Sequence, residues 1–139
     1  MTTPLSATLE VGTVLPDLVL PPVRRQILAD YAEASHDHSA IHLDAAVARA
    51  AGFPDVFAQG MLVMAYLGRA LTDWATLRRV RAFAARFVAV TYLGSELTCR
   101  GTVVELFEED GERRARLDLI VVDQSGEVKL RGSAVVSVE

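Results

Sequence analysis

Apolar positions change their spacing along this chain, and the changes divide it into elements. Residues 17–20 form a short apolar run, Asp17-Leu18-Val19-Leu20, which reads as an edge strand closed by Pro21-Pro22, after a turn at Gly12-Thr13. From Arg24 to Ala34 the apolar positions are Ile27, Leu28, Tyr31 and Ala32, the three-and-four spacing of a helix face. The polar Ser35-His36-Asp37-His38-Ser39 stretch ends that helix. Asp44 is placed to cap a second, short helix over Ala45 to Ala51, with Gly52 closing it. After a turn at Phe53-Pro54-Asp55, Phe57-Ala58-Gln59-Gly60-Met61 leads into a helix reaching about Trp74. That helix is apolar on nearly all faces, which predicts burial, and Ala58, Gly60, Ala65, Gly68 and Ala70 leave room for close approach.

From Val80 the period becomes two. Strands are predicted at about 80–90, 95–107, 113–123 and 127–138, separated by Tyr92-Leu93-Gly94-Ser95, Glu108-Glu109-Asp110-Gly111 and Asp123-Gln124-Ser125-Gly126. The last two linkers carry Asp and Gly where hairpins need them. One buried helix followed by an antiparallel meander is an α+β domain, with the sheet wrapped around the helix so that each buries the other.

The chain's 139 residues suit one domain over 1–139, and 51% hydrophobic residues supply its core. A net charge of -4 without long charge runs argues against nucleic acid as the partner. Of the 14 basic residues only Lys129 is not arginine. Cys99, in an alternating segment, reads as a small core residue. Met1 to Ala7 lack the regions of a signal peptide, and the apolar stretch Val56 to Leu71 is interrupted by Gln59, Gly60, Gly68 and Arg69. The expectation is a soluble, cytoplasmic protein with no membrane span.

The candidate chemistry lies between residues 35 and 44, which hold all 3 histidines: His36, His38 and His42. Imidazole titrates near neutral pH and a neighbouring carboxylate tunes it, so Asp37 and His42, brought together by a bend, would polarise one water and shuttle its proton. Equally, Asp37 caps a turn and His42 is a satisfied, half-buried residue. Gly60 opens the predicted buried helix, where free N–H groups favour negative charge and an absent side chain admits a carbonyl oxygen; the same glycine also serves plain helix–sheet packing. A metal held by His36, His38 and His42 with Asp37 or Asp44 is a competing reading, although the spacing is not that of a zincin helix. Arg78-Arg79-x-Arg81 suits a ligand's phosphates or a solvated strand end. There is no nucleophile elbow, phosphate-binding glycine loop or dinucleotide fingerprint.

Taken together, Tyr31-Ala32-x-x-Ser35-x-Asp37-x-Ser39-Ala40-Ile41-His42-x-Asp44, Ala48, Gly52-Phe53 and Phe57-Ala58-Gln59-Gly60-Met61 resemble the MaoC-like family of hot-dog-fold hydratases and dehydratases. Arg86-Phe87-x-Ala89-Val90-x-x-Gly94 resembles a later segment of the same pattern, so the likeness covers nearly the whole chain. It is nearest to the single-domain (R)-specific enoyl-CoA hydratases and the (R)-3-hydroxyacyl carrier-protein dehydratase subunits. The resemblance implies a hot-dog fold, a homodimer or a heterodimer with a related hot-dog subunit, and reversible hydration of a trans-2-enoyl thioester of CoA or acyl carrier protein. It places Asp37 and His42 at the catalytic positions and the Gly60 N–H at the thioester carbonyl. Gln59, Met61 and Ser39 join Gly60 as the expected oxyanion and substrate-binding residues. No metal or redox cofactor is implied, because the thioester carbonyl itself accepts the enolate charge.

The chain departs from the pattern in having Ser39-Ala40 for Asn-Pro and Gln59 for the commoner His, without losing a catalytic group. Two other classes remain open: a subunit that is inactive or regulatory alone, and a hot-dog thioesterase. Retained Asp37 and His42 argue against the first, and the absence of an acid between Val56 and Leu71 against the second.

Overall fold

The computed structural model describes Leu5 and residues 8–138, and its elements start and stop on local chemistry. Helix α1 (Arg25–Ser35) buries Leu28 and Ala32 and ends where His36 turns left-handed at φ 62°. One 3₁₀ turn follows over Ala40–His42. Helix α2 (Ala45–Ala50) is capped as predicted: Asp44 Oδ1 accepts from the N–H groups of Ala46 at 2.9 Å and Val47 at 3.4 Å. Beyond it, Gly52 N–H reaches Arg49 O and Phe53 N–H reaches Ala48 O, both at 3.0 Å, and Gly52 has φ 97°. That is a Schellman closure, which only a residue at ease with positive φ completes without strain. Helix α3 spans Gly60–Ala75.

The strands are β1 (Leu18–Val19), β2 (Val80–Phe87), β3 (Thr98–Glu109), β4 (Glu112–Val122) and β5 (Val128–Ser137). They form one antiparallel sheet in the order β1-β3-β4-β5-β2. The single domain is the expected α+β hot-dog, but the expected meander is only partly present. β3, β4 and β5 follow one another through hairpins, the first turning at Asp110-Gly111 with φ 53° and 74°, as a two-residue primed turn requires. β2 lies on the far side, paired with β5 and not with β3. Its expected extent to residue 90 is also too long. After Phe87 the chain leaves the ladder, and the N–H groups of both Val88 and Ala89 converge on Lys129 O at 2.9 and 3.3 Å. The segment from 88 to 97 then crosses the molecule, held by Gly94 N–H to Val23 O, Val23 N–H to Ser95 O and Leu20 N–H to Leu97 O.

The sheet curls around α3, whose Leu62, Val63, Leu67, Ala70, Leu71 and Trp74 are buried. Close approach depends on glycines on both sides. A Cβ at Gly68 would sit 3.4 Å from the Phe83 ring, and one at Gly132 would sit 3.0 Å from Leu67 Cδ2 and 3.0 Å from Ala84 O. Contrary to the expectation of a helix buried all round, α3 exposes a stripe four residues apart: Met61, Ala65, Arg69 and Asp73. The sheet of one chain covers only one side of the helix, so an apolar composition does not bury the other. Among the described residues, no helix is long and apolar enough to cross a membrane.

Candidate active site

His42 closes the 3₁₀ turn and is 9% exposed. Its Nδ1 lies 2.7 Å from the backbone oxygen of Phe57, and the Phe57 ring meets the imidazole edge-on at 5.0 Å between centroids. A carbonyl oxygen only accepts, so Nδ1 carries the proton and the lone pair of the neutral ring lies on Nε2. The ring borders a cavity of about 190 Å³ shared with Arg25, Gln26, Leu43 and Val56. One edge of that cavity is pinned by Arg25 Nη2, which bonds both oxygens of Asp55 at 3.1 and 3.0 Å. Backbone donation from Val56, followed by the Arg25 guanidinium, lowers the Asp55 pKa.

Asp37 stands on the exposed bend between α1 and this turn. Ser35 Oγ donates to Tyr31 O at 2.7 Å and accepts from Asp37 N–H at 3.2 Å, while Asp37 Oδ1 accepts from Ser39 N–H at 3.2 Å. The carboxylate therefore shapes its own bend, as the turn-capping reading expects, with its second oxygen in no hydrogen bond to a described residue. No hydrogen bond joins Asp37 to His42. Ser39 contributes its backbone to this turn. His36 and His38 are exposed, and among the described residues no three His, Cys, Asp or Glu side chains converge as a metal-ligand set.

Gly60 is the first residue of α3 and borders an apolar cavity of about 270 Å³ with Phe57, Ala58, Val63, Phe87 and Val90. A Cβ at Gly60 would lie 3.1 Å from the Phe87 ring, so the packing reading of this glycine holds alongside its position at a free helix N-terminus. Met61 beside it is exposed, as are Phe87 and Val88. Gln59 is 1% exposed and donates from Nε2 to Leu28 O at 2.9 Å, fastening α3 to α1; its Oε1 is buried without a hydrogen-bond partner among the described residues.

The structure thus gathers His42, Gln59 and Gly60 around one short segment, residues 57–60, and leaves Asp37 and Ser39 on the bend before it. Two contributors were not singled out from the sequence. Phe57 acts through its backbone oxygen, which no residue type announces. Lys129, the chain's only lysine, is buried at the wall of the Gly60 cavity; its isolation among arginines was the available signal. Of the arginine cluster, Arg81 grips Glu112 through Nε at 2.9 Å and Nη2 at 2.8 Å, so it serves the strand end. Cys99 is fully buried and its thiol is pushed up to about 12 by desolvation, which leaves it an unreactive core residue.

This chain belongs to the MaoC-like family: residues 11–123 match the profile of the MaoC like domain. Its fold is shared with the R-hydratase PhaJ1 of Pseudomonas aeruginosa in the unliganded form, at 27% identity over 96% of this chain and 83% of that one, with a TM-score of 0.82. It is likewise similar to the (R)-hydratase from A. caviae involved in PHA biosynthesis, at 25% identity over 94% of this chain and 98% of that one, with a TM-score of 0.80. One chain of the ChsH1-ChsH2 complex from Mycobacterium tuberculosis shares the fold at 24% identity, over 92% of this chain and 97% of that one, with a TM-score of 0.79. No curated protein sequence matches the chain. Family and fold make the protein a member of the hydratase and dehydratase class.

Proposed function

We propose that the protein catalyses reversible hydration of trans-2-enoyl thioesters of CoA or acyl carrier protein to (R)-3-hydroxyacyl thioesters. The observation that carries this reading is the shared segment 57–60. Phe57 O fixes the tautomer of His42, and three residues later Gly60 opens α3 beside an apolar cavity. In hydration, His42 Nε2 and Asp37 hold the water. As the water oxygen bonds C3, one of its protons passes to this pair. The electron pair of the double bond moves toward the thioester oxygen, which lies against the Gly60 N–H and the positive end of α3. A proton then returns to C2 and the carbonyl re-forms, so the product gains one water and nothing is oxidised. The apolar cavity lined by Val63, Phe87 and Val90 receives the acyl chain. Ser39, through the Asp37 bend, and Gln59, through α1, support this arrangement, and Met61, exposed beside Gly60, is available to the substrate.

We further take the working unit to be a cytoplasmic homodimer. β2 is an edge strand, and Met61, Phe87 and Val88 expose apolar surface next to it and at the α3 start. The same exposure favours, as the second reading, assembly with a related hot-dog subunit, without which this chain would be inactive. Thioester hydrolysis has less support, because the Gly60 half of α3 carries no acid.

The test follows enoyl-thioester absorbance with crotonyl-CoA for wild type and Asp37→Asn, with the oligomeric state measured by light scattering. Absorbance lost with wild type and retained with the variant supports hydration. A folded wild-type dimer that leaves the absorbance unchanged overturns it. A folded monomer without activity shifts the assignment to the partner-dependent subunit. Release of free thiol from a saturated acyl-CoA identifies a thioesterase.

A further inference from the structure

We propose that Lys129 is the positioning residue that sets the acyl-binding wall and keeps it in register with the segment carrying Gly60. This inference rests on the hydratase reading above. Lys129 is 5% exposed, and a buried ammonium is costly unless its hydrogen-bonding capacity is filled. Its Nζ donates to Val90 O at 2.9 Å and to Glu127 Oε1, and lies 3.5 Å from Asp123 Oδ2. The two carboxylates supply the counter-charge. The bond to Val90 has no charge role and is placed on the wall itself. The backbone of the same residue holds the start of that wall, since Lys129 O accepts from both Val88 and Ala89. One residue therefore grips the wall at 88, 89 and 90, where β2 has already left the sheet.

The wall continues into the site. Ala58 N–H donates to Thr91 O at 2.8 Å, and Phe57 forms a β-bridge with Tyr92. Ala58 lies two residues before Gly60, and Phe57 O holds His42. A path of direct contacts thus runs from Lys129 through residues 90–92 to Phe57 and Ala58. Arginine, used at every other basic position, is a planar fork; a single ammonium on a flexible stem fits a point where one carbonyl and two carboxylates meet.

The experiment compares wild type, Lys129→Met and the double variant Lys129→Met/Glu127→Gln. The double variant also removes the Glu127 carboxylate bonded to Nζ, which lessens the uncompensated negative charge that the single change leaves around the largely buried Asp123, and so guards against failure to fold. Amide hydrogen exchange is expected to accelerate about tenfold at Val88, Ala89 and Ala58, with Leu67 in α3 unchanged. With crotonyl-CoA, KM is expected to rise about tenfold with a smaller change in kcat, as lost ground-state contact predicts. With a long trans-2-enoyl-CoA, KM is expected to rise less, so the length preference moves toward longer chains in both variants. Lys129→Arg, which keeps the charge, is expected to return part of the wild-type profile. Unchanged exchange at Ala58, or a double variant with the wild-type length profile, overturns the proposal. Absence of turnover by wild type defeats the hydratase reading instead, and the exchange data still decide whether Lys129 holds the wall.

Discussion

The backbone oxygen of Phe57 lies 2.7 Å from Nδ1 of His42, and this contact determines which nitrogen of the ring is available for chemistry. Asparagine at position 42 can place its amide nitrogen near that of Nδ1 and keep the bond to Phe57, but offers nothing at the place of Nε2. His42→Asn is therefore expected to retain the fold and lose activity by about 10²–10⁴-fold, the range of a general acid–base group. Enoyl absorbance gives the rate, and thermal unfolding shows whether the fold survives. A folded variant with near-wild-type kcat would remove Nε2 from the mechanism.

Gln59 allows a different test, of stability. Its Nε2 bond to Leu28 O is worth about 1 kcal/mol, whereas its buried, unpartnered Oε1 costs about 1–3 kcal/mol. The two effects oppose each other, so replacing the whole amide with an apolar side chain of similar length is expected to be close to neutral. Gln59→Met should keep stability within about 1 kcal/mol of wild type in urea unfolding, while Gln59→Ala, which adds a cavity, should lose about 2–4 kcal/mol. A Gln59→Met variant destabilised as much as Gln59→Ala would mean that Oε1 has a partner worth keeping.

These residues also show what was legible in the sequence. Asp44, Gly52 and Asp110-Gly111 act over four or five residues, so cap, Schellman closure and hairpin could be read from local pattern. The Asp37-to-His42 bend and Gly60 stand out in the sequence because they combine into one motif. The place of β2 was not legible, because its partner is β5 and the pairing is fixed by a crossing segment whose hydrogen bonds reach back to residues 20–23. Nor could periodicity reveal that the sheet leaves the Met61, Ala65, Arg69 and Asp73 stripe uncovered. Phe57 contributes an oxygen that every residue has, and Lys129 works through Val88, Ala89 and Val90, about forty residues before it in sequence.

The remaining prediction concerns acid. Glu112 accepts from Arg81 Nε and Nη2 at 2.9 and 2.8 Å and from Arg114 Nε at 2.9 Å. The hydrogen bonds from Arg81, then those from Arg114, hold its pKa down at about 2, below the ordinary 4.5. A carboxylate whose pKa is lower in the folded than in the unfolded chain binds its proton more readily when unfolded, so protonation favours unfolding. The stabilising contribution is therefore complete above pH 4.5 and is lost as pH falls from 4.5 toward 2. Glu112→Gln removes this titration. At neutral pH the variant is expected to unfold at lower urea concentration than wild type, because it no longer ties the start of β2 to β4. The difference should narrow below pH 4.5 and be nearly gone at about pH 2. Urea midpoints for both proteins at several pH values measure it. A difference that stays constant through this window would show that the two arginines do not hold Glu112 ionised in the folded chain.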